Sequence, residues 1–276
     1  MEKLKEIIDK QKVLIGMIHV QALPGTPENK LDLKEIVDLA VREAVVFKRL
    51  GLKVLMIENM HDIPYTKEIK PEIVASMAII GKEIKKMGVY CGIQILAAGN
   101  KEALAVAKAA ELDFIRTEGF VFAHVADEGY MESCAGELLR YRKTINAEHI
   151  MIFTDIKKKH SSHAITNDVS IEETAHAAEF FLSDGVIVTG VSTGTEADLE
   201  EVKRVKKAVK IPVLIGSGIT GNNLKNYFPY ADIFIVGSYI KKNGYWKNEL
   251  DESRITALVK EFERLKNETK NNTCNN

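Results

Sequence analysis

Short apolar runs rich in β-branched residues recur eight times along the chain, and most are separated by a segment with helical periodicity. The runs occupy residues 13–18, 54–58, 89–95, 113–116, 150–155, 186–189, 213–216 and 233–236. Strands that alternate with helices in this way are typical of a parallel sheet. Eight of them predict a closed (β/α)8 TIM-like barrel, in which the active site lies at the carboxyl ends of the strands.

Amphipathic stretches predict the helices between these strands. The clearest are 33–50 and 71–87, where apolar residues recur every three to four positions before a stop at Gly51 and Gly88. Further helices are predicted at 101–110, 132–144, 171–182, 196–207, 222–227 and 253–266. We therefore expect a single barrel domain over residues 1–265, followed by a flexible polar tail over 266–276.

The predicted loops differ in length according to the end of the barrel at which they lie. Loops from a helix to the next strand are short, whereas the strand-to-helix loops at 19–32, 59–70, 117–131 and 156–170 are long. The long loops contain histidine, carboxylate and lysine residues instead of glycine and serine spacers. Long loops in a compact domain are usually functional or disordered, so this composition favours a site at the carboxyl ends of the strands.

Alternation along the strands predicts which side chains face the barrel interior. Asp155 and Lys157 share one row of the fifth strand, and His19 ends the row of the first strand. By the same rule the third strand sends Gln94 inward, and the fourth carries Arg116. The predicted ring also includes three polar residues at strand ends or in the following loops, which are Glu58, Asn59 and Glu118. A buried arginine requires a carboxylate partner, which we expect to be Glu58, Glu118 or Asp155.

Each of these residues also has an ordinary structural interpretation. His19 could be a hydrogen-bonded structural residue at the end of a strand. The run Lys157, Lys158 and Lys159 would usually form a solvated face. Arg116 could serve only as an ion-pair partner in the barrel. The alternation, which sends Lys157 inward, favours a functional interpretation of that residue alone. The long loop after His19 leaves a functional role open beside the structural one.

Glycine-rich turns follow the last strands and predict an anion site. Barrel enzymes often bind phosphate in the loops after the seventh and eighth strands, through backbone N–H groups. The candidate residues are Gly190 after the sixth strand, Gly216, Ser217 and Gly218 after the seventh, and Gly237 and Ser238 after the eighth. The alternative is a set of plain tight turns. A Rossmann fold is not expected, since no GxGxxG motif opens the first helix.

Composition excludes several classes of partner. The 276 residues carry a formal net charge of −1, so a nucleic-acid footprint is not expected, and no apolar run approaches the length of a membrane span. The three cysteines are scattered without metal-ligand spacing, and the amino terminus has no signal-peptide pattern. We therefore expect a cytoplasmic protein that binds a small phosphorylated ligand and that could form a homo-oligomer.

Several motifs together resemble the BtpA/SgcQ family. They are IGMIHVQALPGTP, IENMHDIPY, PEIVASMA, FIRTEGFVFAHVADEG, TDIKKKHSSHAIT, DGVIVTGVSTG, VLIGSGIT and ADIFIVGS, in that order from residue 15 to residue 238. The resemblance implies a TIM-like barrel related to ribulose-phosphate-binding barrels. The family is named for photosystem I biogenesis, while other members resemble sugar-metabolism or nucleosidase proteins. The forms HVADEG and KKKHSSHAIT indicate a subgroup distinct from the photosynthetic members.

Two functional hypotheses follow. The first is an enzyme, a lyase, isomerase or hydrolase, acting on a small phosphorylated sugar or nucleoside-like substrate. Asp155 would act as acid or base, assisted by Lys157, with His160 as a proton shuttle and Glu58 and His19 as further catalytic candidates. A Schiff base on Lys157 is a subordinate option. The second is a non-catalytic assembly factor that retains the pocket.

Substrate contacts and metal binding complete the expectations. Candidate contact residues at the mouth are Asn59, Gln94, Arg116, Glu118 and His124. No resident cofactor is expected, because the chain contains no cofactor fingerprint. A divalent metal on His124, Asp127, His160 and His163 is a weaker option, since these side chains are suitable in type and lie on two neighbouring long loops.

Overall fold

A closed barrel of eight parallel strands forms the centre of the protein in a computed structural model, which describes residues 3–190 and 194–274. The barrel strands are β1 (Val13–His19), β2 (Val54–Glu58), β3 (Tyr90–Gln94), β4 (Phe114–Thr117), β7 (Met151–Asp155), β9 (Gly185–Val188), β10 (Val213–Ile215) and β11 (Ile233–Val236). They neighbour one another in chain order, and β11 pairs with β1 to close the ring. The predicted fold class is confirmed.

Helices separate these strands and cover the outside of the barrel. Their bounds are α2 (Leu33–Arg49), α3 (Pro71–Lys85), α4 (Asn100–Ala110), α5 (Ala135–Thr144), α6 (Ile171–Phe180), α7 (Leu199–Ala208), α8 (Leu224–Tyr227) and α9 (Glu252–Cys274). Local sequence explains several starts. Asp32 and Ser170 each form a capping box with a glutamate three residues later, and Pro71 occupies the first turn of α3. The predicted helix starts therefore lie close to the observed ones.

The barrel interior is filled by side chains and is not an open channel. One apolar cluster combines the inward residues of all eight strands, while a second, larger cluster lies between strands and helices. Gly92 has a specific packing role, since a Cβ there would lie 2.1 Å from the ring of Phe114. The small residue thus admits a large one from the neighbouring strand.

The amino-terminal pole is closed by a short helix that the sequence pattern did not predict. This helix, α1 (Leu4–Lys10), buries Leu4 and Ile8 in the same cluster as the first residues of the strands. Its seven residues are too few to show a clear helical repeat. The carboxyl-terminal pole is therefore the open one.

A small antiparallel sheet stands beside the carboxyl-terminal pole, in two of the long loops. It consists of β5 (His124–Ala126), β6 (Gly129–Met131) and β8 (Ser161–Ser162), in the order β6-β5-β8.

The last helix also differs from expectation, because α9 continues to Cys274 where a polar tail was predicted from residue 266. Polar residues are compatible with an exposed helix, so polarity alone was a poor guide to its end.

Candidate functional site at the carboxyl ends of the strands

The top layer of the barrel interior is polar, in contrast to the apolar layers beneath it. Above the apolar cluster, each strand contributes one residue to this layer, either the third or last residue of the inward row within the strand or the residue directly after its end. The residues are His19, Glu58, Gln94, Arg116, Asp155, Thr189, Gly216 and Gly237. The first five are among the residues that the sequence predicted at the mouth, and alternation within strands accounts for their orientation.

Two adjoining cavities lie over this layer. One, of about 170 Å³, is lined mainly by the glycine turns after β10 and β11 and by His19. The other, of about 220 Å³, is lined by polar side chains that include Gln94, Glu118 and His160. Glu58, Arg116 and Lys159 line both cavities. We call the first the glycine cup and the second the polar mouth; together they form one cleft.

The glycine cup has walls of backbone that leave no room for larger side chains. Gly216, Gly218 and Gly237 line it together with Ser238. Gly218 has a φ of +68°, and a Cβ there would lie 2.5 Å from the backbone nitrogen of Glu196. A Cβ on Gly216 would lie 3.2 Å from Nη2 of Arg116. These positions need glycine for conformation and for close approach.

Two predicted members of the cup have other contacts. The hydroxyl of Ser217 lines the cup, but it donates a hydrogen bond to the backbone oxygen of Thr195 (3.0 Å). Gly190 packs against the same carbonyl, which would lie 2.2 Å from a Cβ at that position, and it lies outside the cup lining. A phosphate contact at Gly190 stays a prediction. Residues 191–193 of the same turn lie outside the described residues.

A bidentate ion pair crosses the top layer. Nε and Nη2 of Arg116 donate to the two carboxylate oxygens of Asp155, each over 2.9 Å, and both side chains are almost wholly buried. Asp155 is thus the partner among the three carboxylates considered for Arg116. Since both of its oxygens accept from a guanidinium, Asp155 is poorly placed to exchange protons with a ligand. Its evident effect is to orient Arg116.

Glu58 is the carboxylate best suited to proton transfer. It is buried and lines both cavities. Burial raises its pKa, while the positive charges of Arg116 and Lys159 act in the opposite direction. A carboxyl group whose pKa is raised towards neutrality can both give and take a proton.

His19 is a neutral imidazole at the cup. Burial, followed by the charge of Lys241, lowers its pKa to about 3. Nδ1 lies 3.3 Å from the backbone oxygen of Trp246, and because a carbonyl only accepts, Nδ1 carries the proton. Nε2 is then the unprotonated nitrogen, and it faces Gly237, where a Cβ would lie 3.0 Å away.

The three consecutive lysines have three different environments. Lys157 donates to the backbone oxygen of Thr166 and lines a separate small cavity beside His124. Lys158 is buried between Glu118 (3.3 Å) and Glu128 (3.7 Å). Lys159 lines both the cup and the mouth. The solvated-face interpretation is therefore wrong for Lys158.

The predicted inward orientation of Lys157 is also wrong. β7 ends at Asp155, and alternation applies only within a strand. Lys157 has a φ of +50°, a left-handed conformation that turns the chain after the strand. The ammonium group at the mouth is consequently that of Lys159, which pattern reasoning missed.

Of the predicted amide and carboxylate contacts, Gln94 and Glu118 line the polar mouth, whereas Asn59 does not. Gln94 is buried in the mouth, and its Oε1 has no hydrogen-bond partner. Glu118 also lines the mouth and accepts from the backbone nitrogen of Ala98 (3.0 Å). Asn59 instead ties the loops after β2 and β3, because its Oδ1 accepts from the nitrogen of Leu96 (2.7 Å) and its Nδ2 donates to Asp62 (2.8 Å). A substrate-contact role for Asn59 is thus not supported by its surroundings.

The histidines proposed as metal ligands are separated. His124 and His163 lie together, with ring centroids 5.2 Å apart, in the small cavity with Lys157. His160 and Asp127 line the polar mouth instead. In the part of the chain that the structure describes, no three histidine, cysteine or acidic side chains form a group suited to a metal ion. The predicted contact residue His124 does not line the cup or the mouth.

Trp246, the single tryptophan of the chain, was not predicted at the site. It lies in the loop after β11 and lines the polar mouth. Its ring contacts His61 at 4.8 Å and His19 edge-on at 5.9 Å between centroids. A lone tryptophan in a loop at the expected end of the barrel is the signal that could have identified it.

Known sequences match this chain over most of its length. The sequence model of the BtpA family matches residues 10–264. A mitochondrial protein of Caenorhabditis elegans is 51% identical over 95% of this chain and 97% of its own length. The Photosystem I biogenesis protein BtpA of Synechocystis is 30% identical over 89% of this chain and 86% of its own length.

Solved structures share the fold at low identity. (S)-3-O-geranylgeranylglyceryl phosphate synthase from Thermoplasma acidophilum, in complex with its substrate sn-glycerol-1-phosphate, superposes with a TM-score of 0.61 at 17% identity, covering 96% of this chain and all of that one. Thiamine phosphate pyrophosphorylase from Pyrococcus furiosus superposes with a TM-score of 0.57 at 16% identity, covering 94% of this chain and 98% of that one.

No helix in residues 3–190 and 194–274 has the length and apolar character that a membrane crossing requires.

Proposed function

We propose that this chain, which belongs to the BtpA family, is an enzyme acting on a small phosphorylated sugar or nucleoside-like substrate. The observation that carries the proposal is the single cleft, in which Glu58, Arg116 and Lys159 line both the glycine cup and the polar mouth. A substrate with its phosphate in the cup would place its remaining atoms beside these three charged groups. The reaction class is a lyase, isomerase or hydrolase.

The cup suits a phosphate group in chemistry. Its glycines let backbone N–H groups approach an anion closely, and Arg116 adds a fixed positive charge. The loops after β10 and β11 are also those that barrel enzymes commonly use for phosphate. Support by analogy comes from the synthase and the pyrophosphorylase, whose names include phosphorylated compounds.

The mouth supplies the acid–base chemistry in this proposal. Glu58 transfers the proton, since its pKa is raised and its side chain faces both cavities. Asp155 keeps Arg116 oriented, in place of the acid–base role that the sequence suggested for it. His160 lines the mouth, lies exposed at its rim and can exchange protons with solvent.

Calorimetric titration with inorganic phosphate tests the cup. We expect Ser238→Glu to weaken binding by at least ~10-fold, because it puts a like charge in the cup, and Ser238→Gln, of the same size but uncharged, to change affinity much less. Equal affinities of the two variants and the unchanged protein for phosphate would contradict phosphate binding in the cup.

A second candidate, a non-catalytic assembly factor, is favoured by the name of the Synechocystis relative. The two candidates differ at Glu58. An enzyme should lose activity by about 10²–10⁴-fold in Glu58→Gln, whereas an assembly factor should retain its cellular function in that variant. Complementation of a deletion strain with Glu58→Gln separates them.

The cytoplasmic location and the homo-oligomer stay predictions, and the Caenorhabditis elegans relative is named as mitochondrial.

A further inference from the structure

We propose that the amine of Lys159 forms an imine with a carbonyl carbon of the substrate, so that the substrate class is a phosphorylated aldehyde or ketone. The inference rests on the proposed function and makes it more specific. It concerns a residue that lies four positions beyond the end of β7, outside the reach of strand alternation.

Position distinguishes Lys159 from its two neighbours. Of the three lysines, it is the one that lines both the cup and the mouth. Lys158 is held between two buried glutamates, and Lys157 is directed to the carbonyl of Thr166. A ligand that bridges cup and mouth therefore meets the amine of Lys159, whereas Lys158 lines the mouth alone and lies between two carboxylates.

The surroundings of Lys159 favour the neutral amine, the form that attacks a carbonyl. Burial lowers its pKa, and the adjacent guanidinium of Arg116 lowers it further, against the opposing charges of Glu58, Asp155 and Glu118. In Lys158, by contrast, Glu118 and Glu128 outweigh the effect of burial and raise the pKa. The pKa values of these two adjacent lysines are therefore shifted in opposite directions.

The step balances with the groups at the cleft. The Nζ lone pair of Lys159 attacks the carbonyl carbon, the C=O π bond breaks, and the oxygen takes the proton of Glu58 to give a carbinolamine. The nitrogen then returns a proton to Glu58, which protonates the hydroxyl as the C–O bond breaks. One water leaves, an iminium forms, and no oxidant or reductant is consumed. Glu58 is suited to both transfers because its pKa is raised by burial.

Reductive trapping tests the proposal. The protein is incubated with dihydroxyacetone phosphate or with unphosphorylated dihydroxyacetone, treated with sodium cyanoborohydride and digested at glutamate, and the modified lysine is located by fragmentation mass spectrometry. We expect the adduct on Lys159 to exceed that on Lys157 or Lys158 by at least ~10-fold, because Lys159 is the lysine that lines both cavities and is held beside the bound carbonyl. An even distribution over the three lysines with both probes would overturn the imine.

Variants provide matched controls. Lys159→Arg removes the primary amine while keeping a long basic side chain and should abolish the adduct, whereas Lys157→Arg, a change outside the cleft, should leave it unaltered. Glu58→Gln should slow trapping by about 10²-fold, because the proton transfers lose their carboxyl group. Undiminished trapping in Lys159→Arg would contradict the assignment.

Failure of the imine can be told from failure of the phosphate site. Inorganic phosphate should protect Lys159 from dihydroxyacetone phosphate when both the imine and the cup are as proposed. If phosphate does not suppress the adduct on Lys159, the imine is supported and phosphate binding in the cup is contradicted. Calorimetric binding of dihydroxyacetone phosphate without any enrichment on Lys159 leaves the cup and overturns the imine.

Discussion

Individual polar residues in the top layer are tolerated because each is paired, neutral or directed into the cleft. Arg116 and Asp155 satisfy one another in a bidentate pair, and His19 avoids a buried charge by remaining neutral. Neighbouring protein groups compensate the polar atoms of Glu58 and Gln94 less completely, and both side chains face a cavity. Buried polar groups left for a ligand are characteristic of functional sites, so we expect a ligand to contact the layer at these two residues.

His19 predicts a loss of stability in mild acid. In the folded protein its pKa is about 3, below the value of 6.5 for an unperturbed histidine. As pH falls below 6.5, His19 therefore takes up a proton in the unfolded chain but not in the folded protein, and the unfolded chain is favoured. Between pH 7 and pH 5 this residue should cost about 2 kcal/mol of unfolding free energy. Urea denaturation at both pH values measures it.

The matched variant is His19→Gln, which has no titrating group at this position. Its loss between pH 7 and pH 5 should be smaller than that of the unchanged protein by the same ~2 kcal/mol. The same pH slope in both proteins would mean that His19 is protonated in the folded state.

At the scale of elements, alternation predicts orientation only as far as the strand lasts. It places Gln94 and Asp155 correctly, because both end a strand, and it fails for Lys157. Helix α1 shows a different effect, in which a short segment becomes ordered because it covers the open base of the barrel. Tertiary burial, and not helical propensity, stabilises an element of this length.

Helix α1 can be tested by two pairs of substitutions. Leu4→Ala with Ile8→Ala should lower the free energy of unfolding by about 4 kcal/mol or more, since each removes buried methyl groups from the base of the barrel. Lys5→Ala with Asp9→Ala, on the exposed face of the same helix, should change it by less than about 0.5 kcal/mol. Chemical denaturation compares the pairs, and equal effects would show that α1 does not pack as described.

The whole molecule depends on contacts between distant parts of the chain. β1 pairs with β11, and Nζ of Lys241, just after β11, donates to Glu43 of α2 over 2.6 Å. The loop that begins at Lys241 carries Trp246 over the mouth. One buried ion pair therefore anchors the loop that covers the mouth to α2.

Removal of this anchor should destabilise the protein as a whole. Lys241→Met leaves the half-buried Glu43 without its partner and should cost about 3 kcal/mol of unfolding free energy, because the Lys241 side chain is only 2% exposed. Lys242→Met is the control, since Lys242 is 58% exposed in its pair with Glu249 and should cost less than about 1 kcal/mol. Thermal and urea unfolding of both variants measure the difference, and equal losses would contradict a buried anchor.

The order of apolar runs and amphipathic segments was sufficient to predict the barrel and the inward side chains of the strands, because those depend on local periodicity. It could not assign Arg116 to Asp155, exclude Asn59 and Gly190 from the lining, or choose Lys159 over Lys157. These outcomes depend on loop conformation and on contacts between residues far apart in the chain. Such contacts exist only after the barrel closes, and for that reason the tertiary structure alone decided them.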